Sequence, residues 1–391
     1  MTIPYGRQNI GQEDIDAVVT ILGSEFLTQG PAVALFERTV ADYCDVQYGV
    51  AVSSATAALH LSCLALDIGP GDLVWTSAVT FVASANCARY CGADVDFVDI
   101  DSRTLNMDME DLERKLEVAE KIGRIPKLVI PVHLSGYSCD MRKLASLAEK
   151  YGFLVIEDAS HAVGGSYEGR KIGSCEFSDI TVFSFHAVKI VTTGEGGMAL
   201  TDNSEIANKI TRLRSHGITR DTSEMSGGSD APWYYEQLDL GFNYRITDIQ
   251  AALGISQMNK LDEFISQRQS IAGIYDKLMK EMPITLPVHS DGISSSLHLY
   301  IIQPDLDWLG CSHQQAFERL RSNGILVNLH YIPVYRHPYY AQFGYNRSLF
   351  PNAEVYYSKA ISLPIYPGLQ PNQQEQVVKT LLTPQGHQVI F

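Results

Sequence analysis

The stretch 154–201, LVIEDASHAVGGSYEGRKIGSCEFSDITVFSFHAVKIVTTGEGGMALT, decides the fold of this chain, and its centre is Lys189. A β-branched and aromatic run, Ile180 to Phe185, reads as a buried strand that ends at Lys189, with Thr192, Thr193, Gly196 and Gly197 following as a turn. An ammonium group at the end of an apolar strand is stripped of water, so it loses its proton or becomes a covalent imine. That is the chemistry of a Schiff-base lysine.

Upstream, LVIEDASH reads as a second short buried strand that ends in Glu157 and Asp158, with Ser160 and His161 beyond it. Groups that follow parallel strands collect at the carboxyl edge of the sheet, where α/β proteins hold their ligands. An Asp there, upstream of a strand-end Lys, suits pyridoxal 5′-phosphate (PLP): the Lys forms an imine with the aldehyde, and the carboxylate keeps the ring nitrogen protonated. Alone, Lys189 reads more readily as a surface lysine and Asp158 as a helix cap. Their conjunction with Ser184, His161 and the Gly-rich turn selects the cofactor site, in which the Ser184 hydroxyl donates to the cofactor phosphate. His186 faces the pocket or packs beside it.

Working outward, YGVAVSSATAALHLSCLAL is a strand, a cluster of small hydroxylic residues and a helix. A helix start offers unpaired N–H groups and a favourable dipole, so Ser54, Ala55 and Thr56 are candidates to hold the phosphate. LVWTSAVTFVASANCARY repeats the pattern, and VDFVDID (95–101), KLVIPVHLSG (127–136) and FLVIEDAS (153–160) are further strands, separated by helices at about 108–120 and 140–151. Strands alternating with helices imply an α/β fold, a mostly parallel central sheet with helices on both faces. Residues 1–12 form an irregular arm and 13–255 a large domain; a long amphipathic helix marked by Ile246, Ile249, Leu253, Met258, Leu261 and Ile265 leads out of it. The rest, 256–391, reads as a smaller α+β domain with helices at 312–323 and 371–383. The segment 219–235 is a polar loop, expected to be ordered by substrate or by a partner subunit.

The 391 residues carry 45 acidic and 30 basic side chains, a net charge of −15, which argues against nucleic-acid and anionic-membrane partners. No run has the length to cross a bilayer and the N-terminus has no apolar signal core, so a cytoplasmic protein is expected. Seven cysteines without a CxxC read as reduced packing residues, and no metal is expected.

SFHAVKIVTTGEGG, EDASHAVGGSY, LRSHGI (213–218) and GFNYRITDIQAALGISQMNKLDEF (241–264) resemble the DegT/StrS family of sugar aminotransferases, a branch of the fold-type I PLP enzymes, from about residue 3 to about residue 380; LTQG (27–30), SSATAALH (53–60) and HYIPVY (330–335) extend the likeness. The resemblance implies that Phe81 stacks on the pyridine ring and that His161 bonds the cofactor O3′ or orients Asp158. It further implies an obligate homodimer, with Asn243 and Arg245 reaching the phosphate of the neighbouring subunit. Substrate contacts are implied for Tyr5, Glu25, Phe26, Leu27, Thr28, Ala55, Ser184, His186, Asn243 and the run His330, Tyr331, Ile332, Pro333. The implied reaction moves the amino group of L-glutamate, through pyridoxamine 5′-phosphate, to C4 of a UDP-linked 4-keto-6-deoxy-N-acetylhexosamine, as in pseudaminic acid synthesis. Another UDP- or dTDP-keto-sugar is the first alternative, and a non-catalytic PLP-binding regulator the second. Sugar dehydratases of the same family carry His in place of Lys189. Ala187 and Ile190 stand where many relatives have proline, a departure that touches loop rigidity.

Overall fold

The computed structural model describes residues 2–227 and 231–382. Residues 228–230 of the polar loop and residue 383 of the last expected helix lie outside the described residues. The chain enters through strand β1 (Ile3–Pro4), which pairs in parallel with Ile325–Leu326 of the C-terminal region. The arm is thus docked at its very start, and the irregular stretch begins only after Pro4. Helices α1 (Gln12–Leu22) and α2 (Pro31–Cys44) come next. Pro31 occupies the first turn of α2, where its missing N–H costs nothing.

Seven strands build the central sheet. In chain order they begin with β2 (Tyr48–Val52), β3 (Leu73–Ser77), β4 (Asp94–Val98), β5 (Leu128–Ile130) and β6 (Leu154–Asp158). A small hairpin, β7 (Ser166–Tyr167) and β8 (Arg170–Lys171), interrupts the series and pairs with Ile293–Ser294. Strands β9 (Ile180–Ser184) and β10 (Gly197–Thr201) complete the sheet, whose order is β2-β10-β9-β6-β5-β3-β4. Only β10 runs against its neighbours. It returns from β9 through residues 185–196, which hold no crossover helix, and pairs antiparallel with β9 on that return.

The helices of this region are α3 (Ala55–Ala65), α4 (Ala83–Tyr90), α5 (Met109–Lys121), α6 (Met141–Tyr151), α7 (Ser204–Leu213) and α8 (Asp248–Met258). Side chains alternate across each strand, so a fully buried strand feeds two cores. Val182 joins the core made with α3, α4 and α7, whereas Phe183 joins the core made with α2 and α8. Trp75 packs with α5 and α6 on that second face. Every parallel strand, and β2 with them, ends on one edge, which gathers Ser54, Phe81, Asp158 and Ser184.

The long amphipathic helix expected across 246–265 is two helices, α8 and α9 (Leu261–Met279), with a break at Asn259 and Lys260. Beyond it lies a three-stranded antiparallel sheet of Ile284–Thr285, Tyr300–Pro304 and Ile361–Leu363. Helices α9, His313–Ser322 and Pro371–Leu382 share its core. Among the described residues no helix is long and apolar enough to cross a membrane.

Candidate active site

A cavity of about 480 Å³ opens at the carboxyl edge of the sheet. Lys189, Asp158, His161, Ser184 and His186 line it, as do Ser54, Ala55 and Thr56 at the start of α3. Strand β9 stops at Ser184, so Lys189 sits past the strand end, in the turn that leads to β10. That turn is pinned by the Phe185 N–H to the Gly196 carbonyl and by the Thr193 N–H to the Phe185 carbonyl, each at 2.9 Å. Burial pushes the Lys189 ammonium down to about 8, against the opposing pull of Asp158. Near neutral pH the neutral amine is therefore far more abundant than in an ordinary lysine.

Successive residues of β6 point to opposite faces, and this separates two adjacent acids. Asp158 enters the cavity, held by the Ser84 hydroxyl at 2.6 Å and the Ser160 N–H at 3.1 Å. Ser84 itself, on α4, meets Thr80 at 2.7 Å. Glu157 turns away to His133 at 2.7 Å and Thr181 at 3.0 Å. Burial alone would raise the Glu157 carboxyl, but His133 and its hydroxyl donors hold it below its ordinary value. Glu157 is thus a closed structural pair, not a site residue.

The Ser54 hydroxyl caps α3 by accepting from Ala57 N–H at 3.1 Å, which leaves the first backbone N–H groups, at Ala55 and Thr56, for an anion. A Cβ on Gly197 would stand 2.4 Å from Ala55 N. Only glycine lets β10 come so close to this helix start.

His161 Nδ1 accepts the Ser135 N–H at 3.3 Å, which places the proton on Nε2, 3.0 Å from the Tyr331 hydroxyl. Burial first, and the proximity of Lys189 and His330 after it, drive its pKa well below the ordinary histidine range. The imidazole is neutral. His330 is likewise pushed down to about 3 by burial and by Lys189. The docked arm brings Tyr5 against the His330 ring at 5.1 Å. Phe81 lies 5.8 Å from the Tyr331 ring and is 55% exposed, so it has a face free for stacking.

Not every expected residue gathers here. Glu25, Phe26, Leu27 and Thr28 are exposed, and their loop is tied to α8 through the Asp248 N–H to the Leu27 carbonyl at 3.0 Å. Asn243 is exposed, Ile332 is at the surface and Pro333 is buried ahead of a 3-10 turn; none of the three lines this cavity, nor does Arg245. Conversely Glu195, His298 and Asn328 line the cavity without having been singled out in the sequence. Glu195 Oε1 lies 3.8 Å from His186 Nε2.

The donor set fits pyridoxal phosphate. A helix start and the Ser184 hydroxyl suit the phosphate, the Asp158 carboxylate suits the ring nitrogen, and the Lys189 amine suits the aldehyde, all around one cavity. The model of the DegT/DnrJ/EryC1/StrS aminotransferase family matches residues 8–382. The chain is 41% identical over 383 residues to the spore coat polysaccharide biosynthesis protein SpsC of Bacillus subtilis, covering 97% of this chain and 96% of that protein. It is 37% identical to the UDP-4-amino-4,6-dideoxy-N-acetyl-beta-L-altrosamine transaminase of Campylobacter jejuni, covering 97% of each. Among solved structures, PseC of Helicobacter pylori, an aminotransferase involved in the biosynthesis of pseudoaminic acid, superposes with a TM-score of 0.88 at 30% identity over 98% of each chain. The PLP form of the sugar aminotransferase Spr1654 of Streptococcus pneumoniae superposes with a TM-score of 0.87 at 30% identity, covering 97% of this chain and 98% of that one. The family model over nearly the whole chain, and a fold shared from end to end with solved sugar aminotransferases, make this chain a PLP-dependent sugar aminotransferase of the DegT/DnrJ/EryC1/StrS family.

Proposed function

We propose that the chain transfers the amino group of L-glutamate to C4 of a UDP-linked 4-keto-6-deoxy-N-acetylhexosamine, giving a UDP-4-amino-4,6-dideoxy sugar of the pseudaminic acid type. The observation that carries the reading is the cavity wall where Tyr5, His330 and Tyr331 converge. Two of these come from the HYIPVY run and the third from the arm, in a chain that aligns over nearly all its length with a transaminase named for such a product.

PLP, when bound, supplies an electron sink that acidifies the α-carbon of the amino donor. Asp158 supports that role by presenting a carboxylate that Ser84 and the Ser160 N–H hold in place. The Lys189 Nζ takes the α-proton, and in the second half-reaction it delivers a proton to C4 of the sugar. His161, neutral and tied to Ser135 and Tyr331, offers a hydrogen bond without adding charge beside the amine. Asn243 and the 25–28 loop, exposed in one chain, serve the cavity of a second copy.

The higher identity to the spore coat protein favours a second reading, in which another UDP- or dTDP-keto-sugar of a surface polysaccharide is the acceptor. The protein loaded with amine by L-glutamate is to be offered UDP- and dTDP-4-keto-6-deoxy sugars, with mass detection of the aminated product. Preference for the UDP-N-acetyl sugar supports the first reading; exclusive use of a dTDP-sugar replaces it with the second.

A further inference from the structure

Arg268, on α9, is 1% exposed, and no carboxylate of the described residues pairs with it. Its Nη1 instead donates to three carbonyls, those of Leu297 at 3.1 Å, His298 at 3.3 Å and Ile365 at 3.1 Å. Each carbonyl belongs to a segment that lines the cavity or holds a residue that does. The 297–298 segment carries the His298 ring to the wall, 4.5 Å from the ring of His161. The Ile365 N–H in turn donates to the Tyr5 carbonyl at 3.0 Å, which fixes the arm. One guanidinium therefore joins two walls of the site.

His298 is 5% exposed, and its Nδ1 is shut away from water without a hydrogen-bond partner. A buried N–H without an acceptor is costlier than a bare lone pair, so the proton belongs on Nε2. The residue thus has one donor to offer the cavity it lines. Burial, and after it His161, Lys189, Arg268 and His330, hold its pKa well below the ordinary histidine range, so the ring is neutral. A neutral N–H donor with the Arg268 guanidinium behind it and the Lys189 amine across the cavity suits an anionic acceptor.

We propose that His298 is a substrate-contacting residue that donates from Nε2 to a carboxylate of the amino donor, and that Arg268 is the positioning residue that holds His298 and Tyr5 at the cavity. This rests on the proposed function, in which the amino donor is a dicarboxylate. The probe is glutarate, a dicarboxylate that carries no amine to transfer, titrated by calorimetry into the PLP-loaded protein, with UDP as the control ligand. His298→Phe is expected to lose roughly tenfold or more in glutarate affinity with UDP affinity unchanged, and His298→Gln to recover part of the loss. Arg268→Lys, which keeps the charge but not the fork, is expected to raise KM for L-glutamate more than it lowers kcat. Unchanged glutarate affinity in His298→Phe, no glutarate binding by the wild type, or parallel loss of UDP binding would each overturn the proposal. Single-turnover conversion of L-glutamate by the wild type keeps the two readings apart. Conversion with unaltered glutarate binding in the variants removes only the role of His298, whereas no conversion removes both.

Discussion

One hydroxyl, that of Ser84, decides how Asp158 is presented. It donates to the carboxylate from α4, a neighbour in space far from it in sequence. A hydrogen bond to a charged group contributes about 1.5–3 kcal/mol, so Ser84→Ala is expected to weaken PLP affinity roughly tenfold to a hundredfold, read by equilibrium dialysis, with the fold retained. Lys189 makes a second prediction. Its folded pKa of about 8 lies below the ordinary lysine value, so the nucleophilic neutral amine is depleted as pH falls below that point. Uptake of PLP by the cofactor-free protein should slow about tenfold per pH unit below about 8 and level off above it, in stopped-flow absorbance. Lys189, Asp158 and Ser184 were legible in the sequence because strand ends and a Gly-rich turn leave local marks. Ser84, Glu195 and His298 were not, because their roles rest on contacts across the fold that no local pattern encodes. The role of Glu157 was not legible either, because its partners His133 and Thr181 come from the loop after β5 and from β9, on the other face of β6.

The parallel strands were legible as apolar runs bounded by polar ends, and so was the sheet edge that hosts the cavity. The direction of β10 was not, although Gly196 and Gly197 marked its start. The space at Gly197 belongs to this element level, since β10 and the start of α3 touch there through backbone atoms. Gly197→Ala forces them apart and is expected to cost about 1–3 kcal/mol, visible as a lower Tm, and to weaken binding of inorganic phosphate to the cofactor-free protein. A normal Tm with normal phosphate affinity would show that the contact is slack. The break between α8 and α9 left no trace in the sequence, because Asn259 stays in the right-handed helical region and neither Gly nor Pro stands there. The apolar spacing simply continues across it. The hairpin β7–β8 was missed for the opposite reason, being too short to build a periodic signal.

At the scale of the whole molecule, the expected sites divide into two sets that one chain does not unite. Lys189 and Asp158 face the cavity, while Asn243 and the 25–28 loop stand on the surface with Phe26 50% and Leu27 47% exposed. A two-fold pair in which each chain completes the other's cavity accounts for both sets. Mixing inactive Lys189→Ala with inactive Asn243→Ala chains under subunit exchange should then restore about a quarter of wild-type activity, because random pairing puts half the chains in mixed dimers, each with one intact site. No recovery despite proven exchange would place Asn243 in the service of its own chain. The measurement that tests the amine transfer through Lys189 most directly is the visible spectrum of the PLP-loaded protein before and after L-glutamate, for wild type and for Lys189→Ala. The wild type should be yellow and should bleach as the cofactor takes up the amine, whereas Lys189→Ala should show neither the lysine-bound band nor its glutamate-driven loss at the wild-type rate. A wild-type protein that takes up no PLP, or a Lys189→Ala variant that bleaches as fast as the wild type, would contradict it.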